Sequence, residues 1–110
     1  MGYSRAVRAG NVIAVTGTVG IKPDGSYPPT IEEQTRQCLR NVEAILQAAG
    51  STIDDVVQAT FILLDESDFA GMNEEWTAWF PEDPPARYAA KLGAVIPGVL
   101  ISIRMTAFRA

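Results

Sequence analysis

The sequence predicts an α+β fold, one mixed sheet with two helices on a single face in the order strand, strand, helix, strand, helix, strand, strand. Three observations lead there. Strand-like segments flank short turns at both ends of the chain, two longer segments carry apolar residues at helical spacing, and a nearly unbroken apolar run lies between those two. A helix between strands acts as a right-handed crossover, which puts both helices on the same side of the sheet. With 110 residues, 47% of them hydrophobic, the chain holds one core, so residues 1–110 are expected to form a single domain.

In order, Ser4 to Arg8 and Val12 to Thr18 read as strands joined at Ala9-Gly10-Asn11, where Gly and Asn tolerate positive φ. Lys22-Pro23-Asp24-Gly25 reads as a turn, and Pro28-Pro29 blocks regular structure up to Thr30. Thr30-Ile31-Glu32-Glu33 fits a capping box that opens a helix. Its apolar stripe of Ile31, Thr35, Cys38, Val42, Ile45 and Ala49 ends at Gly50, a natural C-terminal cap. Cys38, inside that stripe, reads as a small core hydrophobe with no chemistry of its own.

Val56 to Leu64 reads as a central strand buried on both faces, with Val57, Phe61 and Leu63 on one and Val56, Ile62 and Leu64 on the other. Asp65 to Asp68 supplies N-cap candidates for a second helix. On one face of that helix lie Phe69, Met72, Asn73, Trp76, Trp79 and Phe80, read as core apart from Asn73, before Pro81 and Pro84-Pro85 stop it. Arg87 to Ile96 and Val99 to Phe108 read as a final pair of strands around Pro97-Gly98. Two helices cover only one sheet face, so the apolar residues on the other predict a subunit interface.

Composition narrows the chemistry. The chain has no histidine, which removes the commonest general base and every imidazole metal ligand, and its one cysteine excludes intrachain disulfides and thiolate zinc clusters. Neither a metal nor any other cofactor is expected. A net charge of −4 with scattered basic residues disfavours a nucleic-acid groove. No apolar run is long enough to span a membrane, and Met1 to Arg5 lead into no signal-peptide core, so a cytoplasmic protein is expected.

Gly2-Tyr3-Ser4-Arg5-Ala6-Val7, Gly10-Asn11 and Val15-Thr16-Gly17 together resemble the RidA/YjgF family of reactive-intermediate deaminases. The likeness continues through Glu33-Gln34-Thr35-Arg36-Gln37, Asn41-Val42-Glu43-Ala44-Ile45-Leu46, Asp54-Asp55-Val56-Val57, Asp68-Phe69 and Asn73-Glu74 to Pro85-Ala86-Arg87. It implies the chorismate-mutase-like, YjgF-like homotrimer, whose sheets form a central barrel with clefts at the subunit interfaces. It also implies cofactor-free hydrolysis of small enamines and imines, such as 2-aminoacrylate and 2-iminobutyrate, to 2-oxo acids and ammonia.

Carried over by motif, Arg87 corresponds to the arginine that grips the substrate carboxylate, a task suited to a bidentate guanidinium. Tyr3 matches a catalytic tyrosine, with the family's Gly-Pro-Tyr reduced to Gly2-Tyr3. Thr16 stands where serine is common, and Asn73 matches a substrate-side asparagine. Ala89 replaces a cysteine, although its backbone carbonyl can still hold a water. Ser102 replaces the catalytic glutamate that positions the hydrolytic water, and Arg104 adds positive charge beside it. A non-catalytic, carboxylate-binding or regulatory trimer is the alternative these departures favour. Ribonuclease activity, also attached to the family by name, is disfavoured by the acidic charge and the absence of histidine.

Overall fold

The N-terminal hairpin turns where Gly10 takes a φ of +59°, a left-handed conformation open to glycine. In the computed structural model, which describes residues 2–91 and 96–109, β1 (Ala6–Ala9) and β2 (Val12–Val19) pair antiparallel around that turn. Next comes α1 (Ile31–Ala48), capped by the Thr30 hydroxyl, which accepts from the Glu33 amide at 3.2 Å. The return bond of the expected capping box, from the Glu33 side chain, is not among the described contacts. Past α1 the chain turns at Gly50, whose φ is +84°.

Short 3-10 turns at Ile53–Asp55 and Glu66–Asp68 precede β3 (Val56–Leu63) and α2 (Phe69–Trp79). After the proline-rich stop come β4 (Ala86–Lys91) and β5 (Ile101–Phe108). The expected fourth strand, Arg87 to Ile96, starts one residue earlier; its stretch at 92–95 lies outside the described residues.

One five-stranded sheet runs in the order β1-β2-β5-β3-β4. The last two strands are not a bonded pair as expected from the Pro97-Gly98 turn. Instead β5 inserts antiparallel between β2 and β3, while β4 pairs parallel with the outer side of β3. The reason is the α2 crossover, which returns β4 parallel to β3 and leaves the gap between β2 and β3 for the last strand.

The core lies between the sheet and the helices. Ile13, Val15, Ala59, Phe61, Leu63, Ile101, Ile103, Met105 and Ala107 meet Leu39, Val42 and Leu46 of α1 and Met72 and Trp76 of α2. The expected alternation in β3 fails at its start: Val56 is 8% exposed and Val57 52%, the reverse of the reading. A register shift between Val56 and Gln58 explains it, since an extra residue flips every side chain before it. The face away from the helices carries the exposed Val12, Val57, Tyr88 and Phe108, with half-buried Ile62 among them.

Two amides on α1 tie the helix to the chain around it. Gln34, fully buried, donates through Nε2 to the carbonyls of Pro28 at 3.0 Å and Gly98 at 2.7 Å. Its Oε1 accepts from the Leu100 amide at 2.9 Å, just ahead of β5. Gly20 permits the approach, because a Cβ there would stand 2.5 Å from the Gln34 carbonyl oxygen. About two turns further along, Asn41 donates to the carbonyls of Val19 at 3.0 Å and Ile21 at 2.9 Å, holding the end of β2. Between the helices, Arg36 of α1 pairs with Glu75 of α2 at 2.8 Å.

Gln34 and its neighbour Thr35 should respond to substitution with opposite signs. Gln34→Leu strands two carbonyls and one amide and should destabilise by about 2–4 kcal/mol. Among the described residues the buried Thr35 hydroxyl oxygen finds no partner, so Thr35→Val, which keeps the shape and removes that group, should stabilise by about 1 kcal/mol. Denaturant midpoints of the two variants check both signs.

Candidate functional site

Arg87 is the second residue of β4, opposite Ala59 in register, and so projects on the helix side of the sheet. There α2 meets it with Phe69, Asn73 and Trp76, spaced at i, i+4 and i+7 on one helix face. The Arg87 Nη1 donates to Asn73 Oδ1 at 2.6 Å. Its guanidinium carbon lies 5.1 Å from the centre of the Phe61 ring and 5.7 Å from those of Phe69 and Trp76. Among the described residues no carboxylate pairs with Arg87.

Ala89 follows two residues later on the same face of β4. With Leu63, Glu66, Phe69, Ala90 and Lys91 it lines a pocket of about 330 Å³ at that edge of the sheet. Arg87, Asn73 and Ala89 are thus gathered by the fold into one neighbourhood.

Tyr3 and Thr16 lie elsewhere. Both line a groove of about 1010 Å³ between the N-terminal hairpin and the second half of α1. Arg5, Arg8 and Lys22 give its wall positive charge, and Ala44, Ile45 and Ala48 give it an apolar floor. Arg8 is partly engaged, donating through Nη1 to the Ala49 carbonyl at 3.0 Å beyond the end of α1.

Ser102 occupies the central strand, between Val19 of β2 and Ile62 of β3, on the face away from the helices. It is buried even so, and its Oγ would stand 3.2 Å from a Cβ at Gly17. Arg104, two residues on, is exposed on the same face. Arg87 and Ser102 therefore project from opposite faces. Tyr3 and Thr16 stand at the β1-β2 edge and Arg87 at the β4 edge, with β5 and β3 between. Four strand spacings of about 4.8 Å separate β1 from β4 by roughly 19 Å, farther than a small acid reaches. One chain does not bring all six residues onto one ligand.

The rings around Arg87 were missed as site residues, since Phe69 and Trp76 read as core. The signal was present: Asn73 lies between them in sequence, on the helix that precedes the strand carrying Arg87. The cations Arg5, Arg8 and Lys22 carried no sequence pattern that would single them out.

Cys38 has no place in this chemistry. Its thiol is fully buried, donates to the Thr18 carbonyl at 2.8 Å, and is pushed well above the ordinary thiol range by desolvation. Near the start of α2, burial raises the carboxyl of Asp68, helped by the nearby charges of Asp65 and Glu32.

Residues 1–109 match the family model described as endoribonuclease L-PSP. The chain is 40% identical to a RutC family protein of Pyrococcus horikoshii, over 97% of this chain and 86% of that one. It is 35% identical to the 2-iminobutanoate/2-iminopropanoate deaminase of Mus musculus, over 96% of this chain and 79% of the relative. The crystal structure of the YjgF gene product from E. coli shares the fold with a TM-score of 0.90 at 35% identity, covering 98% of this chain and 88% of that one.

A thiol as buried as Cys38 should react only when the chain opens. Under native conditions at neutral pH, a disulfide reagent should label it at the rate of unfolding, with labelling becoming immediate in denaturant; fast native labelling would contradict the packing of α1 against β2.

Proposed function

Because the chain belongs to the RidA/YjgF family, matched by the endoribonuclease L-PSP model across residues 1–109, we propose that it is a cytoplasmic hydrolase of small carboxylate-bearing enamines and imines. It takes a 2-imino acid and water to a 2-oxo acid and ammonia, without a cofactor, as a homotrimer. The observation that carries this reading is Arg87, with one donor on Asn73 and no counter-carboxylate among the described residues. A cation in that state is prepared for a planar carboxylate.

The division of the candidate residues between two sheet edges supports an interface cleft. Tyr3, Thr16 and Ser102, the last of which lies beside Gly17 and faces away from Arg87 of its own chain, can serve the same ligand as Arg87, Asn73 and Ala89 only if a neighbouring copy presents them to this copy's β4 edge. The exposed Val12, Val57, Tyr88 and Phe108 on the helix-free face supply apolar area for such an assembly.

In the reaction, Arg87 fixes the carboxylate and thereby the adjacent imine carbon. A water held by the Ala89 carbonyl adds to that carbon, forming the C–O bond while the imine nitrogen takes up a proton. The hydroxyls of Tyr3 and Thr16 are the groups of this chain suited to relay protons as the C–N bond breaks and ammonia leaves. The remaining alcohol loses its proton to give the 2-oxo acid. Ser102 supplies no negative charge to activate the water, and general-base assistance is typically worth on the order of 10² to 10⁴ in rate.

Ser102 also favours a second reading, in which the same trimer binds small carboxylates and does not turn them over. The net charge of −4 sets both readings apart from a nuclease groove. A coupled assay, in which a dehydratase generates the imine and release of the oxo acid is timed, separates hydrolase from binder. A stable monomer in light scattering would overturn the interface cleft in either case.

Arg87→Lys should fold normally and weaken pyruvate binding at least tenfold, measured by calorimetry, because a charge-assisted, bidentate contact is worth about 1.5–3 kcal/mol. Unchanged affinity would place the carboxylate elsewhere. Ser102→Glu should raise imine hydrolysis above that of the unsubstituted protein by returning a carboxylate to the position active relatives use for water. Arg104 beside it favours the ionised form. A trimer that binds pyruvate normally and gains no rate would favour the binding reading.

A further inference from the structure

We propose that Phe69 is a positioning residue for Arg87, its ring face holding the guanidinium in place and leaving the outward donors open to a substrate carboxylate; this rests on the reading of Arg87 as the carboxylate grip. Two of the three surrounding rings have an obvious reason to be there, since Phe61 is 1% exposed and Trp76 3%, both parts of the core. Phe69 does not. It is 42% exposed at the first position of α2, where burial explains little of a large apolar ring. It is tilted against Phe61 with centroids 6.0 Å apart and stands 5.7 Å from the Arg87 guanidinium.

An arginine in a binding site must be held still without being neutralised. A carboxylate partner would hold it but would compete with a carboxylate ligand for the same fork of N–H groups. Aromatic faces attract the cation through the ring quadrupole and accept none of its strong in-plane hydrogen bonds. Of the five guanidinium donors, one goes to the neutral Asn73. The rings supply the rest of the restraint. Among them, Phe69 is also the one that lines the pocket beside Ala89, so its ring borders both the grip and that space.

The test compares Phe69→Leu with Phe69→Tyr, using pyruvate as the probe and the unsubstituted chain and Arg87→Ala as references. An exposed aromatic-to-cation contact predicts about two- to fivefold weaker pyruvate binding in Phe69→Leu and affinity retained in Phe69→Tyr, which keeps the ring. NMR supplies the direct signature: the Arg87 side-chain protons should carry an upfield ring-current shift that shrinks in Phe69→Leu and persists in Phe69→Tyr. Equal loss of affinity in both variants, or an Arg87 signal indifferent to them, would overturn the proposal. If Arg87→Ala itself binds pyruvate normally, the grip assigned to Arg87 is what fails; if Arg87→Ala loses binding while Phe69→Leu keeps it, only the role of Phe69 fails.

Discussion

The buried amide of Gln34 is the constraint on which the architecture turns. Its side chain bonds to the segment leading into α1 and to both sides of the entry to β5, at Gly98 and Leu100, and so couples a helix on one layer to the central strand of the other. A buried amide with its partners in place holds one geometry and penalises neighbouring ones, since any shift leaves polar groups unpaired away from water. Apolar packing between α1 and the sheet tolerates small sliding; these bonds do not. Asn41 repeats the device at the end of β2, so both of the strands that α1 covers are pinned to it by side-chain amides.

The same sheet sets the distribution of the candidate residues. The α2 crossover ends in a proline-rich stop that delivers Arg87 onto β4 beside Asn73, so this half of the site depends on the contact between one helix and one edge strand. The Tyr3 and Thr16 half depends on the opposite edge. The parts are rigid within each edge, and their distance from one another is set by the width of the sheet. Within one chain no motion short of breaking the sheet brings the two edges together.

Much of this was legible in the sequence. Thr30, Gly10 and Gly50 marked helix and hairpin boundaries through local chemistry, and local chemistry is what a sequence carries most openly. Ile101, Ile103 and Met105 alternate with Ser102 and Arg104, a period of two that separates Ser102 from the core face. The exchange of Val56 and Val57 was not legible, because a bulge is a relation between strands and shows only once β5 is in place. Strand order was hidden for the same reason: nothing near Pro97-Gly98 says that the chain will pass β4 and enter between β2 and β3. Gln34 was hidden too, since a glutamine beside an apolar stripe looks the same whether it is solvated or bonded. At the site, residue identities came from motif, whereas the pairing of Arg87 with Asn73 and the rings needed the α2-β4 contact.

The insertion of β5 at the centre of the sheet bears on how the molecule comes into being. β5 follows every other element in chain order, yet it bridges the two halves, β1-β2 and β3-β4, which do not touch each other as strands. Until it docks, β2 and β3 each present an open edge of unpaired backbone groups, a hazard for aggregation. The native bond between Leu100 and Gln34 closes a separation of 66 residues. Such long closures make folding slow relative to helical proteins of the same size. Because neither β1-β2 nor β3-β4 reaches the other without it, a single shared sheet exists only once β5 has docked.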